Sequence, residues 1–424
     1  MSLPRILVLG GGGREHALCW HLSKFSRISC APGSDGIAES FETWAFNDFA
    51  QLASQIKSKK IETVVVGPEK YLAEGVVDFL EKEGVFAFGP TQKAAALESD
   101  KAWAKDFCLR HSIPTARSAT CCDIASFHRE IKKFAPPFVI KASGLAAGKG
   151  VWIGENMNEA AKFAAAALSQ HSSIVIEEFL RGEEVSFFAM VDGENYILLG
   201  GAQDHKRLLE NDEGPNTGGM GAYSPVPILN KNLETKIVEK ILKPSLAGLK
   251  SDKIDYRGFL FLGVMVVANE PYLLEYNCRM GDPETQALML RLESPLTELI
   301  QNLRDSRNLN SQARLSNLVS LNVVVAAKGY PDKPASGFSL AGIENVPEPL
   351  RIFHSGTRLD RSDLKNPHWV ASGGRLFSVN VLQKTLVDCQ QLIYPWIESQ
   401  KFLKDVTYRR DIAVKAYRHL RGVA

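Results

Sequence analysis

Short apolar runs closed by glycine open the chain. Ile6-Leu-Val-Leu9 is β-rich and ends at four glycines, positions 10–13, after which Ala17, Leu18 and Leu22 recur at helical spacing. Thr63-Val-Val-Val66 ends at Gly67-Pro68-Glu69, with Val76, Val77, Phe79 and Leu80 again at helical spacing. Val85-Phe-Ala-Phe88 ends at Gly89-Pro90. Strands alternating with helices predict parallel β-α-β units over residues 1–100, and such sheets bind ligands beyond the carboxyl ends of their strands.

The texture changes from about 99 to 310. Ser99 is expected to cap a helix running to about His111 and stopping before Ile113-Pro114. Strand pairs then dominate: 138–141 with 151–153, 174–178 with 184–191, and 259–267 with 272–277. Between Gln203 and Pro227 neither period holds. Glycines at 214, 218, 219 and 221 interleave there with polar groups, so a long functional loop is expected. The last hundred residues predict strands at 319–327 and 375–381 and a helix near 385–399, after a proline-rich linker from Pro331 to Pro349. The pattern is α/β followed by α+β. It divides into residues 1–100, 101–310 with a flap at about 113–190, and 318–424.

Composition narrows the function classes. The 424 residues are 45% apolar and 23% charged, ordinary for a globular chain. Lys plus Arg is 50 and Asp plus Glu 48, a balance of +2 that predicts no general attraction to nucleic acid. No apolar run approaches 18 residues, so no membrane span is expected. Met1 to Arg5 leads straight into a strand-like run without a signal-peptide pattern, and a cytoplasmic location is expected. Seven cysteines without a C-x-x-C pair, and nine scattered histidines, make neither a disulfide framework nor a zinc site.

Four segments carry candidate chemistry. Gly10-Gly-Gly-Gly13-Arg14-Glu15 is not a dinucleotide fingerprint, because Glu15 and His16 stand where the third glycine is needed. It is either a glycine turn presenting a helix N-terminus to an anion or a tight turn with no ligand. Lys141-Ala-Ser-Gly144-Leu-Ala-Ala-Gly148-Lys149-Gly150 departs from a phosphate-binding P-loop in spacing and is followed by β-formers. A strand–loop–strand flap is predicted, with Lys141 and Lys149 as point charges for polyphosphate. Ile174-Val-Ile-Glu177-Glu178-Phe-Leu180, followed by Glu184, reads as strand, connection, strand, whose backbone could meet an adenine edge. In Leu274-Glu275-Tyr-Asn277-Cys-Arg279 alternate residues share a face, so Glu275, Asn277 and Arg279 should project together, with Leu274, Tyr276 and Cys278 opposite. A carboxylate beside an amide oxygen suits Mg²⁺, and Arg279 can grip a carboxylate or phosphate. Asp282 and Pro283 read as N-cap and first residue of a helix.

Taken in order, these segments resemble the glycinamide ribonucleotide synthetase family of ATP-grasp ligases over essentially the full length. Carrying motifs include Gly-Gly-Arg14-Glu15-His16-Ala, Lys101 after Glu98-Ser-Asp, and Gln203-Asp-His-Lys-Arg207. With them stand the 140–150 loop, Gly214 to Pro225 and Asn277 to Gln286. The resemblance implies a Rossmann-like N-terminal domain, an ATP-grasp central region and a C-terminal α+β domain. It also implies ATP and Mg²⁺ or Mn²⁺ as cofactors, and small-molecule substrates acting on a monomer. ATP would phosphorylate glycine, and the amine of 5-phosphoribosylamine would attack the acyl phosphate.

Carried over residue by residue, Lys101, Lys141, Gly144, Gly148, Lys149 and Gly150 would hold ATP phosphates. Glu177, Glu178 and Leu180 would line the adenine site and Glu184 the ribose. Glu275 and Asn277 would bind the metal. Arg279, Asp204 and Lys206 would be catalytic. Asp204, Arg207, Thr217, Gly218, Gly219, Arg279 and Asp282 would shape the glycine end. Gly13, Arg14, Glu15 and Glu69 would meet phosphoribosylamine. The sequence departs from the family where Ser143 replaces the Asp of K-A-D-G, where Met280 replaces a common Phe, and in the strand 259–267, which offers no acid as a further metal ligand. Another ATP-grasp carboxylate ligase and a silent nucleotide-binding module are the competing readings.

Overall fold

In a computed structural model, residues 3–145, 150–363 and 365–420 are described. Five parallel strands form the first sheet, in the order Glu42–Thr43, Arg27–Pro32, Arg5–Gly10, Thr63–Val66, Ala87–Phe88. Its central strands are buried on both faces, which explains their unbroken Val/Leu/Ile runs. The glycine turn after Arg5–Gly10 feeds the helix Gly13–Leu22.

Residues Ser118–Cys121, Ile174–Glu177, Phe138–Ala142 and Val151–Gly154 make a small antiparallel sheet in that order. The predicted hairpin 138–141/151–153 forms. Strand Ile174–Glu177, however, pairs within this small sheet and not with 184–191. Phe187, Ala189 and Val191 belong instead to Glu183–Asp192, whose alternating neighbours are buried on both faces of the larger sheet.

Among the described residues, that larger sheet gathers ten strands, eight on one path and two beside it, Ser311–Gln312 against Asn195–Asp204 and Val406–Thr407 against Val319–Ala327. Its path runs Glu270–Asn277, Arg257–Val267, Glu183–Asp192, Asn195–Asp204, Gly221–Ser224, Val319–Ala327, Arg375–Gln383, Arg351–His354. Gly221–Ser224 pairs on one side with Asn195–Asp204 and on the other with Val319–Ala327. The C-terminal residues thus extend the central sheet, with their own core of Leu321, Val323, Val379, Ile393 and Trp396.

Two expected elements shift. Asp100, not Ser99, caps the helix Lys101–Arg110, its carboxylate accepting Trp103 N–H at 3.0 Å. The 203–227 stretch is not structureless: Arg207–Leu209 pairs with Glu213–Asn216, and Gly221–Ser224 joins the large sheet. Short strands broken by glycine show no period of their own, which is why the pattern hid them.

Candidate active site

Residues from every part of the chain line one cavity of about 890 Å³, a size that suits a nucleotide with small substrates. Strand Glu270–Asn277 supplies one wall. A bulge skips Leu274, so Gly263 faces Glu275 and Val264 faces Leu273. Strict alternation fails at this point. Leu274 borders the cavity beside Glu275 and stays out of the core cluster. Leu273 and Tyr276 are core residues that also reach the cavity wall, and Cys278 is in the core alone. Asn277 and Arg279 also line the cavity, Arg279 lying just past the strand end.

Cations and carboxylates interlock along the walls. Lys141 Nζ donates to the Leu274 carbonyl at 3.0 Å and stands 3.0 Å from Glu177 Oε1. Lys105 stands 3.1 Å from the other Glu177 oxygen and donates to Thr115 Oγ1 at 2.6 Å. Glu177 is 2% exposed, so it is a buried bridge between two lysines. Burial, helped by Lys141, lowers the Lys101 pKa against the pull of Glu275, and Lys101 Nζ donates to Gly144 O at 3.2 Å. Lys206 pairs with Glu184 and lies 3.8 Å from Glu275. Burial pushes the Glu275 carboxyl up, but Lys206, Lys141, Lys101 and Arg279 overcome it and hold it at about 2.

At the N-terminal side Arg279 sits between two acids, 2.8 Å from Glu98 and 3.2 Å from Glu69. Burial raises the Glu98 pKa despite Arg279. Glu69 is held below the usual carboxylate range, because Arg279 and Arg14 outweigh its burial. Arg14 donates to the Met280 carbonyl at 3.1 Å and to Glu15 at 2.5 Å. Glu15 accepts Gly12 N–H at 2.7 Å, so this acid closes its own helix start.

The far wall carries Asp204 and Glu284. Burial and their mutual repulsion raise the Asp204 pKa, Lys206 opposing; burial raises that of Glu284. Ser186 donates to Glu284 at 2.9 Å. Gly219 must be glycine: its φ is +107°, and a Cβ there would lie 2.4 Å from Pro283 Cδ and 2.7 Å from Asp204 Oδ1. Asp282 is not the helix cap. The helix begins at Glu284, and the Asp282 carboxylate instead accepts from Arg375 and Gln286, each at 2.8 Å.

The remaining candidates are placed as follows. Gly144, Gly150, Glu178, Leu180 and Glu184 border the cavity, as do Arg207, Thr217 and Gly218. Gly13 lies off it, against Ser355 and Gln286, and Glu15 and Gly219 are not on its lining. Gly148 and Lys149 lie outside the described residues. Sequence reasoning missed Lys105, Glu98, Glu284, Tyr330 and Arg375, all on the cavity wall. For Lys105 a signal existed: it follows Lys101 by four residues, one turn along the same helix face. Arg375 offered only a preceding glycine pair.

A small antiparallel sheet and the edge of a larger one, with lysines and carboxylates converging between them, define an ATP-grasp enzyme. Residues 4–98, 99–285 and 320–415 match the N, ATP-grasp (A) and C domains of phosphoribosylglycinamide synthetase. The phosphoribosylamine–glycine ligase of Ralstonia nicotianae is 39% identical, covering 98% of this chain and 100% of its own. That of Listeria monocytogenes is 41% identical over 97% and 99%. The crystal structure of the Thermotoga maritima phosphoribosylamine–glycine ligase superposes with a TM-score of 0.83 at 33% identity, covering 96% and 100%. Biotin carboxylase of Campylobacter jejuni, 14% identical with a TM-score of 0.75 over 99% and 97%, shares the fold alone. The chain belongs to the phosphoribosylglycinamide synthetase family.

Proposed function

We propose that this chain joins glycine to the amine of 5-phosphoribosylamine in an ATP-dependent ligation that forms a C–N bond, releasing glycinamide ribonucleotide, ADP and phosphate. This is the second step of purine biosynthesis, and its partners are small molecules alone. The single observation carrying this reading is the continuity of the cavity from Lys101 and Lys141 to Arg14 and Glu69. Charge neutralisers for a triphosphate stand at one end and the first sheet's strand ends at the other.

Lys101, Lys141 and the 144–150 flap hold the ATP phosphates, Glu178 and Leu180 the adenine, and Glu184 the ribose. Glu177 acts by fixing Lys141. Glu275 and Asn277 fit a divalent cation. The buried Asn277 amide has an end without a hydrogen-bond partner, its oxygen and nitrogen exchange by a half-turn, and it adjoins a carboxylate held ionised. Among the described residues no cluster of three or more His, Cys, Asp or Glu could hold a metal. Two protein donors that share phosphate oxygens and water are what Mg²⁺ or Mn²⁺ accepts. When bound, the cation neutralises charge on the transferring phosphoryl group.

The glycine carboxylate lies toward Arg279, with Asp204, Lys206, Arg207, Asp282 and the 217–219 turn around it. A glycyl phosphate forms there, and the amine, presented from Arg14 and Glu69 on the cavity wall, attacks its carbonyl carbon, with phosphate leaving. The amine's proton passes to a buried carboxylate, with Asp204 the candidate. Positioning and fixed charge carry the catalysis, and enclosure keeps water from the acyl phosphate. The test is ADP formation with purified protein. Dependence on both glycine and phosphoribosylamine supports the reading, and ADP release indifferent to either refutes it.

A further inference from the structure

Gly218 sits in the loop between the short strands Glu213–Asn216 and Gly221–Ser224. The N–H groups of its neighbours are taken by the central region or by the loop itself. Thr217 N–H and Oγ1 each donate to Lys206 O at 2.8 Å, Gly219 N–H to Thr217 Oγ1 at 3.0 Å, and Met220 N–H to His205 O at 2.9 Å. Gly218 turns to the C-terminal part of the chain through both of its backbone groups. Its N–H donates to Tyr330 Oη at 2.9 Å, and its carbonyl accepts from Arg375 at 2.6 Å. Beside these, Arg375 makes a longer 3.5 Å approach to the Gly219 carbonyl, and Val324 N–H donates to the Met220 carbonyl at 3.0 Å.

Arg375 makes a second connection. The same guanidinium donates to the Asp282 carbonyl at 2.8 Å and to the Asp282 carboxylate at 2.8 Å. Its planar fork therefore ties together two segments that are 64 residues apart and both border the cavity. The space for this is made locally. A Cβ on Gly218 would lie 3.1 Å from the guanidinium carbon, and one on Gly374 would lie 2.4 Å from the Tyr330 ring. Strand Arg375–Gln383 starts at this arginine, so the brace is anchored in the large sheet.

We infer that Tyr330 and Arg375 are positioning residues for the glycine end of the site, holding Gly218 from both sides and fixing the Asp282 carboxylate against it. This inference rests on the proposed ligase reading. Glycine is small, and its ammonium must meet an acceptor set at fixed distance while its carboxylate faces Arg279. A loop free to drift would leave that acceptor unset. The site is then incomplete without the C-terminal part, although neither Lys101 nor Lys141 bonds to it.

The test uses Arg375→Ala, Arg375→Lys and Tyr330→Phe in the full chain. ADP formation is measured with phosphoribosylamine, and separately with hydroxylamine as a small acceptor that traps activated glycine. Arg375→Ala is expected to raise the KM for glycine about tenfold or more in both assays, with the KM for ATP within about twofold of wild type. A bidentate charged hydrogen bond contributes at roughly this level. Arg375→Lys recovers part of the loss, and Tyr330→Phe raises the glycine KM several-fold with no change in melting temperature. Unchanged glycine KM in both Arg375→Ala and Tyr330→Phe overturns the inference, as does an equal rise in the ATP KM. If Arg375→Ala does not fold, Tyr330→Phe, which loses one hydroxyl, decides alone. Wild-type protein that forms no ADP with glycine refutes the ligase reading itself.

Discussion

The Ser143 hydroxyl donates to Asp100 Oδ1 at 2.7 Å and accepts the Ala102 N–H at 3.0 Å, while the same Asp100 oxygen caps the helix that starts at Lys101. The end of strand Phe138–Ala142 is thereby locked to the start of the helix carrying Lys101 and Lys105. The family's usual Asp at 143 would place a second carboxylate against Asp100 in this chain. Ser143→Asp is therefore expected to destabilise by about 1–3 kcal/mol, the range for a buried group left badly paired, and to weaken ATP binding. The exchanged pair Asp100→Ser with Ser143→Asp re-forms the bond in reverse and recovers most of the loss. Urea unfolding of the three proteins checks this; a single Ser143→Asp variant as stable as wild type contradicts it.

Glu275 stands among Lys206, Lys141, Lys101 and Arg279, which hold its pKa at about 2. It is thus ionised at every pH where the enzyme works, and an acid limb in the pH–rate profile belongs to other groups. Glu275→Gln removes the proposed metal donor and one negative charge from a cationic site. Turnover should fall on the order of 100-fold, as when a preorganised charge stabiliser is lost, with the melting temperature kept. Metal-free ADP should bind at least as tightly as to wild type, because four cations lose a competitor. Undiminished turnover in a folded variant overturns the metal-ligand role.

The parallel first sheet, the flap hairpin and the Glu275–Asn277 wall were legible because each rests on local periodicity or on a contiguous tract. Three kinds of feature were not. The Leu274 bulge depends on its partner strand, so alternation misassigned that side chain. Strand Ile174–Glu177 was paired with its sequence neighbour, whereas its register is set by Val139 to Ala142, over thirty residues upstream. Tyr330 and Arg375 reach the cavity only because Val319–Ala327 pairs with Gly221–Ser224, a contact about a hundred residues apart in sequence. No pattern within either segment encodes it.

Lys105 and Glu177 form a buried pair that continues to Lys141. Lys105→Met leaves Glu177 with one cation in a site nearly closed to water. A cost of about 2–4 kcal/mol is expected, since breaking a buried pair leaves a charge uncompensated. Adding Glu177→Gln should restore at least half of that stability, yet the KM for ATP should stay raised, because Lys141 then lacks the oxygen that orients it. Denaturant melts and ATP titration of rate separate the two effects. Equal stability of the single and double variants contradicts the pairing argument.

His16 and His354 meet where helix Gly13–Leu22 packs on strand Arg351–His354, their rings stacked with centroids 5.7 Å apart. His16 Nδ1 accepts the His354 N–H at 3.1 Å, so this nitrogen carries no proton in the folded state. Burial, with His354 and Arg351 nearby, lowers the His16 pKa to about 3, and burial lowers that of His354 to about 4. Both start from an ordinary value near 6.5. Below that pH the unfolded chain binds protons that the folded chain refuses, so stability falls as pH drops from about 6.5 toward 4. Each such histidine adds about 1.4 kcal/mol per pH unit to the slope. His16→Asn keeps an acceptor facing His354 N–H but does not titrate. Its unfolding free energy should therefore lose close to one histidine's share of the slope between pH 6 and 5, at little cost at pH 8. Urea melts across that range give the slope directly, and a variant slope equal to wild type would mean that His16 is protonated in the folded protein.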